Sequence, residues 1–259
     1  MKQVLMRVHS RMRAAKIMRG MFFSSLPFYG LACLQFPTED FLVGDMRLTY
    51  SVLAENVEEA TVSVRLHDMN DIYFSDLTVS EGDALYVEHD GDSYLLDEED
   101  TSKFMIPDVL YTKTIPYFDS TKPFTLTFDR PSGTYKTDVF LPNDFSVSVQ
   151  NDEVFAFSSE QFVPVDVRWT PVLEASGINI GLRDTDCAGF PIESVENTGQ
   201  AQIEIRLDEP VVSVGPMDRL CTVNVYVSAH TVGNSVDFGE SYIRGYQRRS
   251  SFFKVLYLP

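Results

Sequence analysis

The chain has 259 residues, 44% of them hydrophobic, three cysteines, and a formal charge of −17 from 38 acidic against 21 basic side chains. A field of that sign repels phosphate backbones and anionic headgroups, which disfavours nucleic acid, and no nucleic-acid partner is expected. The length has room for one large or two ordinary domains.

The charge is unevenly placed. Residues 1–32 hold Lys2, Arg7, Arg11, Arg13, Lys16 and Arg19 and no acidic residue, so the remainder carries 15 basic against 38 acidic side chains, a net −23. Within that leader, residues 21–32 are twelve residues without a formal charge, rich in Phe, Leu and Tyr. This matches the apolar region of a signal peptide. A membrane-spanning helix needs about 20 apolar residues, and Pro27 sits inside this run, so residues 1–32 are expected to be a cleaved signal peptide. Met12 offers an in-frame start that would leave a compact leader with Arg13, Lys16 and Arg19.

Where the run ends, Gly30-Leu31-Ala32-Cys33 resembles the lipobox of bacterial lipoproteins. The family usually carries Leu three places before the cysteine, whereas this chain has Gly30 there and Leu31 one place later. The resemblance implies that Cys33 is acylated and becomes the mature N-terminus, and several acyl chains hold a protein stably on a membrane. Leu34 rather than Asp follows, and by the same resemblance this implies the outer membrane of a bacterial envelope. The alternative is a buried Cys33 in an amphipathic N-terminal helix. With Cys33 given to lipid, Cys187 and Cys221 remain, 34 residues apart. In an oxidising periplasm they are expected to form a disulfide, stabilising by about 3 to 4 kcal/mol. Two buried free thiols are the other possibility.

Residues 33–45, with Pro37 and Gly44, read as a tether. Residues 46–52 and 60–66 then alternate apolar and polar as half-buried antiparallel strands do, joined across the polar segment 55–59. Residues 73–79 and 84–88 form a second such pair around Gly82. Asp90-Gly91 is a hairpin signal between 86–87 and 94–96. Asp90 and Asp92, followed by the acidic run 97–100, are weak candidates for calcium, but they lack the ligand order of a calcium loop, so a solvated turn and no metal cofactor are expected. Residues 104–123 hold three prolines and read as irregular. Strands resume at 124–128 and 134–141, and Pro142-Asn143-Asp144 marks a boundary.

The second half repeats the pattern. Strands are expected at 145–149, 154–157, 163–169, 178–182, 201–207 and 221–228, and the apolar run 252–258 is expected to be central to the second core. Many short strands without helical periodicity indicate an all-β fold of two antiparallel β-sandwich domains, 46–142 and 143–259. An Ig-like arrangement is an analogy only, because Trp169 precedes both Cys187 and Cys221 instead of lying between them.

The ending carries a second resemblance. Segments 221–227, 236–249 and 252–255, with the F-x-R-x-x-G-T segment at 128–134, look like a group of bacterial lipoproteins that have a lipobox and two β-rich halves. The resemblance implies architecture and address without chemistry. Tyr242, Arg244, Tyr246, Gln247, Arg248 and Arg249 concentrate positive charge and aromatic rings in an otherwise acidic chain, and form the candidate interaction patch for an acidic glycan, a lipid headgroup or an envelope protein. The opposing possibility is that these arginines pair with the protein's own carboxylates. No G-x-S-x-G, H-E-x-x-H or phosphate-cradling loop is present, and His67, His89 and His230 are scattered singly, so a non-enzymatic envelope module is expected. A glycan-binding protein or hydrolase using carboxylate-rich loops is the alternative.

Overall fold

The computed structural model describes residues 36–70, 76–100, 108–117, 121–150, 153–156, 162–172, 174–183, 188–189, 192–207 and 220–257. All of them belong to one compact unit, Cys33–Pro259. The first half contains β1 (Phe36–Pro37), β2 (Met46–Ala54), β3 (Glu59–Asp68), β4 (Leu77–Thr78), β5 (Ala84–His89), β6 (Asp92–Leu95), β7 (Asp97–Asp100), β8 (Val109–Pro116), β9 (Phe124–Arg130) and β10 (Gly133–Val139). The second contains β11 (Ser146–Val149), β12 (Glu153–Ala156), β13 (Phe162–Thr170), β14 (Gly177–Arg183), β15 (Ala188–Gly189), β16 (Glu193–Val195), β17 (Gln200–Leu207), β18 (Leu220–Val232) and β19 (Glu240–Tyr257). The protein is all-β. Among the described residues no helix is long and apolar enough to cross a membrane.

Period-two patterning explains the strands. β2 buries every second residue, from Met46 through Leu48, Tyr50 and Val52 to Ala54. Its partner β3 does the same with Ala60, Val62, Val64 and Leu66. A one-residue slip would turn one apolar row to the opposite face, so burial excludes such slips from the pairing that sets Tyr50 against Val64. The Asp90-Gly91 hairpin forms as expected, with His89 paired to Asp92 and both turn residues at positive φ.

Each half has its own hydrophobic core. The first gathers Met46, Leu48, Tyr50, Phe124 and Phe128 with their neighbours, and the second gathers Trp169, Ile178, Ile180, Val225, Phe253 and Val255 with theirs. The sheet under them is shared. β16, β14, β18, β19, β2, β3, β8 and β7 run in that order through one hydrogen-bonded sheet, with β12 also joined to β19. Four-stranded sheets β10–β9–β5–β6 and β11–β13–β17–β15 complete the two sandwiches. On β19, Ile243 belongs to the first core, and Phe253 and Val255 to the second. All three have odd numbers, so both cores lie on the same face of this strand and the even-numbered residues face outward.

Four expectations need correction. The tether does not hold for 36–45: β1 pairs with β4, Val43 lies in the first core, and buried Thr38 donates from its Oγ1 to Asp83 at 2.6 Å. Apolar Val43 and the guanidinium of Arg130, which donates to the carbonyls of Thr38 and Phe41, dock this segment. Part of the irregular region is β8, whose alternation buries Val109, Tyr111 and Ile115 while Pro116 merely ends it. The acidic run is not a free turn but β7, paired to β8 as the last strand of the shared sheet. Its four carboxylates are exposed and discourage a further strand from adding there. The pairing is also not antiparallel throughout, because β19 runs parallel to β2. β2 and β19 lie far apart in sequence, and a non-local pair has no hairpin to impose antiparallel order.

Candidate functional site

The outward face of β19 is built on cross-strand rows. Arg248 stands beside Ser228 of β18, which pairs with Asn179 of β14. One row along, Tyr246 pairs with His230, and His230 with Gly177. In the other direction Ser250, Tyr226 and Gly181 share a row, followed by Phe252, Asn224 and Arg183. The two glycines are required by what lies on them. A Cβ at Gly177 would stand 2.5 Å from His230 Cε1, and one at Gly181 2.5 Å from the Tyr226 hydroxyl oxygen. Glycine therefore lets both rings lie across β14.

Four members of the expected patch, Tyr242, Arg244, Tyr246 and Arg248, share this outward face. The Arg244 guanidinium sits 4.4 Å from the Tyr242 ring centre, and that of Arg248 4.8 Å from the Tyr226 ring centre. The other two point the opposite way. Gln247 is fully buried and donates from Nε2 to the Tyr117 hydroxyl at 2.6 Å, so its place in a surface patch is corrected. Arg249 is mostly covered, donating to Asp144 Oδ1 at 2.6 Å and to the Ala54 carbonyl at 3.1 Å. Alternation along a strand divides six clustered residues between two environments.

Arg248 and Arg183 both donate to Glu55 Oε1, at 2.9 and 2.7 Å. Glu55 follows β2, so this contact joins the two halves. Glu55, Arg183, Asn224, Tyr226, Arg248, Arg249 and Ser250 line a cavity of about 240 Å³. Among the described residues, the buried Arg248 Nε has no hydrogen-bond acceptor. The sequence signalled Arg248 and Arg249. It did not signal Glu55, Arg183, Asn224 or Tyr226, because their convergence depends on pairings between distant segments.

His230 lies within the same face, with its ring centre 5.8 Å from that of Tyr246. Desolvation first, and then the nearby Arg244 charge, hold it below the usual imidazole range. The neutral ring is thus favoured on folding. A depressed folded pKa means that the unfolded chain binds more protons, so this contribution is fully present above the unfolded value of 6.5 and is lost as pH falls through the folded value. In the His230→Phe variant, the fall in Tm between about pH 7.5 and pH 5 is expected to be smaller than in the parent chain. An unchanged fall in thermal melts would refute this.

The other sequence candidates are dispersed. Asp90 forms an ion pair with Lys122, and the Tyr94 hydroxyl donates to Asp92 at 3.4 Å. Among the described residues no three metal-ligating side chains converge. A cavity of about 670 Å³ adjoins Asp90 and His89. His67 Nδ1 is 2.6 Å from the buried carboxylate of Asp76, which also accepts the Val109 amide at 2.7 Å and faces Arg65. These contacts bind β3 to β8. Cys221, the second residue of β18, packs against the second core, whereas Cys33 and Cys187 lie outside the described residues.

No protein-family model and no curated protein matches the chain. Among solved structures, it aligns with the full Ig1–Ig3 ectodomain of mouse nectin-like molecule 4 at 10% identity and a TM-score of 0.24, covering 82% of this chain and 64% of that one. It also aligns with the titin Ig tandem domains A164–A165 at 9% identity and a TM-score of 0.24, covering 83% of this chain and 94% of that one.

Proposed function

We propose that the chain is a non-enzymatic structural or interaction module of the bacterial cell envelope, held on the outer membrane through lipid at Cys33. The observation that carries the interaction reading is the outward face of β19, where aromatic and guanidinium side chains stand on a sheet that runs unbroken through both halves. Arginine and large aromatics are the residue types that concentrate binding energy at interfaces. The basic leader, its apolar run and the Gly30-Leu31-Ala32-Cys33 segment support the address.

The reading includes a Cys187–Cys221 disulfide. Arg183, paired to Asn224 in the shared sheet, precedes Cys187 by four residues, and Ala188, paired to Leu207 in the facing sheet, follows it directly. Cys221 is the second residue of β18 in the shared sheet, so such a bond would tie one sheet of the second sandwich to the other.

Labelled fatty acid fed to expressing bacteria is expected to appear on the protein and to vanish in Cys33→Ala. Crosslinking through a photoreactive residue at position 242 in the native envelope is expected to capture a partner. Absence of label overturns the anchor. An envelope-wide failure to crosslink, with the protein folded and present, overturns the interaction reading.

A further inference from the structure

We infer that the cavity between Glu55, Arg183, Asn224, Tyr226, Arg248 and Ser250 is a binding site for the carboxylate of an acidic sugar unit. This rests on the interaction reading above but not on the lipid anchor.

The site is assembled from four separate segments: the turn after β2 gives Glu55, β14 gives Arg183, β18 gives Asn224 and Tyr226, and β19 gives Arg248 and Ser250. Its arginine is held in place before any ligand arrives. Tyr226 lies against Gly181, the Arg248 guanidinium lies over the Tyr226 ring, and Nη1 is tied to Glu55. Two guanidinium groups, those of Arg248 and Arg183, thus line the cavity around a single carboxylate of the protein, and a ligand carboxylate meets the planar fork in the bidentate geometry that arginine favours.

Charge selects among anions. The walls carry the side chains of Arg183 and Arg248 against Glu55. These three groups sum to one positive charge, which suits a monoanion. A phosphate or sulfate dianion would meet the Glu55 carboxylate at close range. Size and lining then select the rest of the ligand. A cavity of about 240 Å³ lies below the roughly 300 Å³ at which drug-sized sites begin, so it takes a single small unit. The Asn224 amide and the Ser250 hydroxyl offer hydrogen bonds to sugar hydroxyls. Phe252, 64% exposed, stands one row beyond Ser250 on the same face and presents a ring to the apolar side of a sugar.

The test is titration of the purified full chain with D-glucuronate, glucose and inorganic sulfate, followed by calorimetry or chemical-shift changes. Saturable binding of glucuronate is expected, with none of glucose and weaker binding of sulfate. Arg248→Met keeps the stem over Tyr226 but removes the fork, and should weaken glucuronate by about tenfold or more at unchanged Tm. Glu55→Gln removes the competing carboxylate and should tighten it. Several results overturn the proposal: no glucuronate binding, glucose binding equally well, sulfate binding as tightly as glucuronate, or Glu55→Gln leaving affinity unchanged or reduced. If Arg248→Met does not fold, the Glu55→Gln comparison still decides. Loss of fatty-acid label at Cys33 would leave these results untouched, and failed glucuronate binding would leave the crosslinking result standing.

Discussion

Gly245→Val is expected to destabilise the protein by more than about 3 kcal/mol, the largest effect of any single surface-distant substitution proposed for this chain. Gly245 is paired with Thr231 on one side and Val52 on the other, at the point where β19 joins the two halves. The backbone of Phe140, in the connector after β10, crosses directly over it. A Cβ at this position would collide with the Phe140 carbonyl oxygen and stand 3.0 Å from its carbon. The obstacle is backbone, so no rotamer change relieves it. The connector is also stitched down, because the Thr231 hydroxyl donates to the same Phe140 carbonyl. Urea denaturation measures the effect as a lowered midpoint. Gly44→Ala is the control, since a Cβ there meets nothing within 4 Å, and its effect should stay within about 0.5 kcal/mol.

Asp76→Ala should cost about 3 kcal/mol, because it removes the acceptor that several donors share in the interior. Asp76 is 3% exposed. Its carboxylate takes the Val109 amide at 2.7 Å and His67 Nδ1 at 2.6 Å, and lies 3.5 Å from Arg65 Nη1. Arg65 is also ion-paired with Asp108, so it keeps a carboxylate when Asp76 is lost. The Val109 amide, in a strand whose first side chain is fully buried, has no such replacement among the contacts just described. Asp76→Asn retains an acceptor for that amide and should recover part of the loss. Equal midpoints for the Ala and Asn variants would show that the amide contact carries none of the stability.

These two positions mark what the sequence could and could not disclose. Alternation at 46–52, 60–66 and 124–128 is a local property, and those segments form β2, β3 and β9. β8 escaped notice because Pro107 and Pro116 flank an otherwise regular alternation of Val109, Tyr111 and Ile115. β19 was legible only over its apolar end. Its earlier part reads as charged and polar, and Gln247 occupies an inward position that pattern reasoning reserves for an apolar side chain. The Tyr117 hydroxyl satisfies Gln247 Nε2 there, across 130 residues of sequence. The cavity depends on similar distances, with Glu55 separated from Arg248 by 193 residues and from Arg183 by 128. Charge clustering found one arginine of that cavity's Glu55 pair, and only the register of β14, β18 and β19 supplies the other.

The parallel pairing of β2 with β19 has a mechanical consequence. The two strands match from Arg47↔Glu240 to Ala54↔Gln247, so the start of β2 and the end of β19 point in opposite directions along one axis. Tension applied between residues 46 and 257 therefore slides the strands past each other and strains the whole ladder at once, instead of peeling its hydrogen bonds one at a time. Resistance to such a pull is set by the rate of crossing the unfolding barrier rather than by equilibrium stability. The shared sheet makes β2 and β19 a shear clamp between the two ends of the β-rich body.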